Sequence, residues 1–352
     1  MKHTIQDMDA LFAGLYQAHQ GAYAMPAEEA DEAIWQNWKK TWRDGLKKDL
    51  RGFPYKAAPL QVRVLQSRPF DTYTMYLVQY NGEAGMLIPA LLLVPSEGLR
   101  RYRAGGPKMK AVIALAGHGA GITEICGLTP EGEPRKQGEG YQKDFALALC
   151  QRGFVVLAPE MPGFGLRRFR EDCRKGPGQS SCFRMSTNLL MMGLTMAGLR
   201  VRDVMRSLDY LQALPFVDAG RIGGMGISGG GTTLMYTAAL DERLRANVIS
   251  GAACTYADSI LSIFHCTDNY VPDIYCHAEM CDVLGLIAPR PLLLEAGRDD
   301  DIFPLRGVLH CASQLEAAYR KAGAGQNLAM DIFEGGHQIS GRLSYDFLMN
   351  QL

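Results

Sequence analysis

Apolar residues Met8, Leu11, Phe12, Leu15 and Tyr16 recur at helical spacing, and beyond Pro26 a second stripe runs through Ile34, Trp35, Trp38, Trp42 and Leu46. The spacing predicts two N-terminal helices ending near Gly52-Phe53-Pro54. A tryptophan stripe of this kind is read first as core packing, with a pocket lining as the alternative. From Leu60 to Pro95 the pattern alternates, with Val62, Val64, Thr72, Thr74, Tyr76 and Val78 typical of antiparallel strands. Short apolar runs then appear at 111–116, 154–158, 221–226, 246–250, 291–296 and 328–333, separated by helix-like stretches such as 141–152 and 187–214. Strands alternating with helices imply an α/β fold: a mostly parallel sheet covered on both faces, with sites along the strand C-termini.

The expected organisation is a helical extension or cap over 1–54 and one catalytic domain over 55–352. Within that domain 162–186 is Gly- and Arg-rich and reads as a long loop or lid. Its arginines, among them Arg167, Arg168, Arg170 and Arg174, are either a solvated surface or an anion-attracting rim.

Lys plus Arg equals Asp plus Glu at 37 each, so no net field attracts nucleic acid or anionic lipid. The longest apolar run, 86–94, contains Pro89 and is about half a membrane span, so it predicts a buried strand and no membrane association. Asp7 and Asp9 interrupt the start where a signal peptide needs an apolar segment, and the expected location is the cytoplasm. The nine cysteines are odd in number and scattered, unlike a secreted disulfide framework. Cys276, His277 and Cys281 form the densest group, but no second ligand pair stands at suitable spacing, and neither metal nor cofactor is expected. The Trp-bearing helices offer a surface for a homo-oligomer contact; the sequence does not fix the oligomeric state.

The strongest chemical signal is the run from Arg221 to Gly231, a strand entering Gly226-Ile227-Ser228-Gly229-Gly230 and then a helix. A serine at such a turn has a strained backbone and needs small neighbours, and the helix behind it supplies free amides and a partial positive charge. A hydroxyl is a weak nucleophile unless an imidazole takes its proton and a carboxylate holds that imidazole's tautomer. Asp299-Asp300-Asp301 follows the strand at 291–296, and Gly335-Gly336-His337 follows the strand at 328–333. Nucleophile, acid and histidine thus fall in the order this chemistry uses on a parallel sheet, each just past a strand C-terminus. An oxyanion hole needs two backbone donors. The Gly229 amide is one; the other is expected from the loop Gly117-His118-Gly119, first His118 and then Gly119, with the His118 side chain incidental.

With Gly117-His118-Gly119, the run from Val155 to Gly165, the run from Ile222 to Gly231, the run from Leu286 to Leu293, Asp300 with Pro304, and Gly336-His337, the chain resembles the acetyl xylan esterase and dienelactone hydrolase branch of the α/β-hydrolase superfamily. The resemblance covers roughly Leu60 to the C-terminus and departs at Ala116, where a histidine is usual. It implies that the acid stands three residues after Gly297 and four before Pro304, which selects Asp300 beside Ser228 and His337. The stretch from Cys266 to Pro272 also resembles this branch and is read as loop structure. The implied activity is hydrolysis of short-chain or acetylated esters of small molecules, including carbohydrates, through an acyl-enzyme. Carbon–carbon, lactone or amide hydrolysis on the same groups is the alternative, and a non-catalytic binding protein of this fold is the third reading.

Overall fold

The computed structural model describes residues 7–18, 21–52, 58–83, 85–136, 138 and 140–352. The proposed boundary between residues 54 and 55 lies outside them. The alternating segment forms three strands, β1 (Arg63–Pro69), β2 (Tyr73–Asn81) and β3 (Leu87–Pro95). The apolar runs form β4 (Met109–Leu115), β5 (Val155–Pro159), β6 (Val217–Ile227), β7 (Leu244–Ser250), β8 (Leu292–Gly297) and β9 (Leu328–Phe333). They build one sheet in the order β1-β2-β3-β5-β4-β6-β7-β8-β9. The strands β1, β2, β3 and β5 pair antiparallel, and every pairing from β5 through β4 to β9 is parallel. The run at 86–94 is therefore an inner strand, β3, buried on both faces. Among the described residues no helix is long and apolar enough to cross a membrane.

Two cores flank the sheet. The larger joins Trp35, Trp38 and Trp42 to the helices Met196–Ala213 and Gly229–Leu240, and the smaller packs Phe145, Leu149 and Phe154 on the opposite face. Trp42 is fully buried and stacks on Tyr23 at 4.8 Å, while Trp38 Nε1 donates to Tyr23 O at 2.9 Å. The stripe is core, as its spacing suggests, and its indoles are covered within the chain and not offered to a second copy. The helix Met8–Ala18, by contrast, has no buried residue.

The stretch expected as one helix over 187–214 is two, Cys182–Met191 and Met196–Ala213. Gly193, at φ 73°, ends the first, and Thr195 starts the second by accepting the Gly198 amide at 2.9 Å. Two arginines of the preceding loop, Arg167 and Arg168, are internal clamps, whereas Arg170 and Arg174 are exposed. Arg167 pairs with the buried Asp203 at 2.5 Å, and Arg168 donates to the carbonyls of Gly165, Gly176 and Gln179.

Candidate active site

Ser228 follows β6 at φ 56°, ψ −125°, a conformation L-residues rarely occupy. Glycines make the turn feasible: a Cβ on Gly226 would stand 2.6 Å from Gly230 O, and one on Gly230 would strike Leu115 O. The Ser228 amide donates to Ser250 O of β7 at 3.0 Å, which fixes the turn against the sheet. The helix Gly229–Leu240 begins at the next residue and brings its positive end to the hydroxyl.

Asp300 lies just past β8 and is 4% exposed, whereas Asp299 and Asp301 are exposed. Its Oδ1 accepts the amides of Ile302 and Phe303, each at 2.9 Å. Its Oδ2 stands 2.8 Å from His337 Nδ1. The His337 ring lies between Tyr141 and Phe303, at centroid distances of 5.4 and 5.8 Å and nearly parallel to both. Behind it the buried Glu295 accepts Ser250 Oγ and the Ser340 amide at 2.8 Å and the Gly341 amide at 3.1 Å, pinning the histidine loop to β7 and β8. His337 Nε2 is left without a hydrogen bond among the described residues.

Ser228 and His337 open onto one cavity of about 450 Å³, whose walls include His118, Tyr141, Phe264, His265 and Cys266. None of its lining residues comes from the N-terminal helices. Another cavity of about 280 Å³, beside Tyr319 and Arg320, contains none of the candidate groups.

The loop after β4 commits its outer amides: Gly117 N donates to Gln142 Oε1 at 2.8 Å and Ala120 N to Glu124 Oε2 at 3.0 Å. His118 and Gly119 lie between them, and the Tyr141 hydroxyl holds His118 O at 2.6 Å. A Cβ on Gly229 would sit 3.2 Å from His118 Cε1, so this loop adjoins the residue after Ser228.

The His118 side chain, expected to be incidental, is engaged. Its Nε2 stands 3.1 Å from Asp268 Oδ2, and its ring meets Phe164 edge-on at 4.9 Å. Burial alone would lower its pKa, but the Asp268 carboxylate raises it to about 9. The buried Arg200 reaches the same Asp268 oxygen at 2.7 Å and lies over the Phe164 ring at 4.7 Å. The stretch from Cys266 onward is thus more than loop structure, since Cys266 lines the cavity and Asp268 anchors these two cations.

Among the described residues, His118, Cys182, Cys266 and Asp268 place one ligand atom each within 4.8 Å of one another. Sequence inspection looked instead at the 276–281 stretch, where His277 Nδ1 is held by Asp49 at 2.9 Å, Cys276 is exposed and Cys281 is buried. Residues 118, 182 and 266 belong to three separate connections, so local spacing carried no sign of their convergence. Arg200 and Tyr141 were likewise missed: each sits in a stretch that reads as an ordinary amphipathic helix.

Comparison with known proteins agrees with this architecture. The prolyl oligopeptidase family matches residues 192–346, which include Ser228, Asp300 and His337. A Bacillus subtilis (strain 168) protein named as a hydrolase, YtaP, is 34% identical over 196 residues, which are 53% of this chain and 61% of that protein. The chain thus spans less than two thirds of that relative. A Bacteroides fragilis NCTC 9343 structure described as an acetyl xylan esterase superposes with a TM-score of 0.77 at 17% identity, covering 94% of this chain and 83% of its own. A glucuronoyl esterase from Solibacter usitatus gives 0.68 at 15% identity, covering 95% and 98%. At such identities the likeness carries the fold, and the chain is an α/β-hydrolase-fold protein whose region from the candidate nucleophile to the histidine matches the prolyl oligopeptidase family.

Proposed function

We propose that the chain is a serine hydrolase of carboxylic esters. The observation that carries the reading is the strained Ser228 turn sharing a cavity with a histidine whose far nitrogen meets a buried carboxylate at 2.8 Å. Ser228 Oγ attacks the ester carbonyl carbon while His337 Nε2 takes its proton, and Asp300 keeps the His337 proton on Nδ1 and offsets the imidazolium charge. The amides of Gly229 and His118, with Gly119 beside it, receive the developing oxyanion. Collapse expels the alcohol, which takes the proton from His337, and leaves an acyl-Ser228. Water, deprotonated by His337, then releases the acid. None of these steps calls on a metal.

The esterase neighbours and the partly apolar wall formed by Ile263, Phe264 and Ile302 support a short acyl group, with acetylated carbohydrates as the substrate class to try first. Nine cysteines without a disulfide among the described residues support a reducing compartment, and we place the protein in the cytoplasm on that ground.

The test is labelling by a fluorophosphonate probe together with a panel of aryl acetates, longer acyl esters, sugar acetates, lactones and amides. The expected result is a label on Ser228 alone, preference for short acyl esters, and a loss of about 10⁶ in turnover for Ser228→Ala with the fold intact. Labelling elsewhere, or turnover retained in that variant, overturns the assignment.

A further inference from the structure

The cluster beside the nucleophile has donor chemistry that hydrolysis does not use. Cys182 opens the helix Cys182–Met191, Cys266 precedes the turn Thr267–Asn269 and Asp268 lies within it, and His118 comes from the loop after β4. Cys182 and Asp268 are 0% and 2% exposed. Met161 and Phe164 close the far side, and Gly163 approaches so tightly that a Cβ there would stand 2.6 Å from Cys182 Sγ.

Two observations fit a shared central ion. First, His118 Nε2 and Asp268 Oδ2 are buried and lie 3.1 Å apart, yet neither is aligned in a hydrogen bond; even the Arg200 contact to Oδ2, at 2.7 Å, is an ion pair only. A nitrogen and an oxygen bound to one ion at about 2.0–2.2 Å in a tetrahedron stand about 3.3–3.6 Å apart, a few tenths of an ångström beyond this separation, with their lone pairs on the ion and not on each other. Second, the donor set is two sulfurs, one imidazole and one carboxylate, all within 4.8 Å. Such a set favours zinc over magnesium or calcium.

We infer that His118 Nε2, Cys182 Sγ, Cys266 Sγ and Asp268 Oδ2 form a four-ligand site for a divalent zinc-like ion. Electrostatics fit: two thiolates and a carboxylate against the Arg200 guanidinium and a divalent ion leave no net charge in a buried place. Arg200 Nη2 already reaches Cys182 Sγ at 3.2 Å, as an outer partner of a metal-bound thiolate does. Four protein ligands leave no position open for water, so the ion is structural. It ties the His118 loop to the helix start at Cys182 and to the cavity wall at Cys266.

The test is optical and independent of any hydrolytic activity. Reduced full-length protein is assayed for bound metal, stripped with a strong chelator, and titrated with Co(II) and then Zn(II). One equivalent of Co(II) should bind, with thiolate-to-cobalt charge-transfer bands and the intense visible bands of a tetrahedral ion, and Zn(II) should abolish them. Cys182→Ser and Cys266→Ser should each weaken binding by more than about 100-fold, while Cys276→Ser should bind as the parent does. Absence of a saturable one-equivalent spectrum in folded parent protein overturns the site, without reference to any variant. So do bands lacking thiolate charge transfer, or bands that persist in both Ser variants.

Discussion

Three aspartates stand side by side after β8, and replacing each in turn by asparagine isolates what the carboxylate at position 300 does. Asp300 Oδ1 is fixed by two backbone donors, the amides of Ile302 and Phe303 at 2.9 Å. In Asp300→Asn the amide oxygen must take that place, because the NH₂ group cannot accept. The NH₂ then faces His337 Nδ1 at the position now 2.8 Å from Oδ2. A donor there forces the His337 proton onto Nε2, the nitrogen that has to receive the serine proton, and it removes the negative charge that offsets the imidazolium. This exchange of tautomer costs on the order of 10⁴ in turnover, or about 5.5 kcal/mol in the barrier. Asp299 and Asp301 are exposed, so Asn at either should cost less than about tenfold. Steady-state kcat on an aryl acetate, with thermal melts to verify folding, reads all three. Asp300→Asn within tenfold of the parent, with Asp299→Asn or Asp301→Asn crippled, would refute the reasoning.

Gly251→Ala should lower kcat by about 100-fold, since a Cβ at this φ 48° position would stand 3.0 Å from the His337 ring and displace it; unchanged kcat would show that the ring has room. Trp42→Ala should destabilise the fold by about 3–5 kcal/mol in urea unfolding, because the side chain is fully buried in the larger core, while the kcat of the folded fraction stays within twofold. Glu160, fully buried, has its carboxyl pushed up by burial from 4.5 to about 7. Between those values the folded chain holds a proton that the unfolded chain has released, so stability falls as pH rises through that window, by on the order of 3 kcal/mol. Unfolding free energies at pH 5 and pH 8 should show this loss in the parent and a flatter response in Glu160→Gln; equal slopes would exclude Glu160 as the source.

How much of this was legible beforehand depended on the range over which each feature is encoded. The strands from β4 to β9 lie within a few residues of their apolar runs, because a buried parallel strand needs apolar residues on both faces and so marks itself locally. Ser228, Asp300 and His337 were legible for the same reason: each follows directly on such a strand, and parallel strands bring their C-termini to one edge. The break at Gly193-Leu194-Thr195 was present in the residues as a glycine and a capping threonine and was overridden by the apolar periodicity on both sides. The His118 side chain is a different case. Its partners Asp268 and Phe164 are 150 and 46 residues away and Arg200 acts through Asp268, so only the completed sheet brings them together. The consequence reaches the proposed chemistry, because Asp268, itself paired with Arg200, and Phe164 meet the ring of the residue whose amide is proposed for the oxyanion. Loop position there draws on this buried polar cluster as well as on Gly117 and Gly119, where a Cβ would strike the Tyr141 hydroxyl and the Glu124 carboxylate. A sequence retaining Gly117 and Gly119 but lacking Asp268 would keep the recognisable motif and lose the geometry that makes it useful.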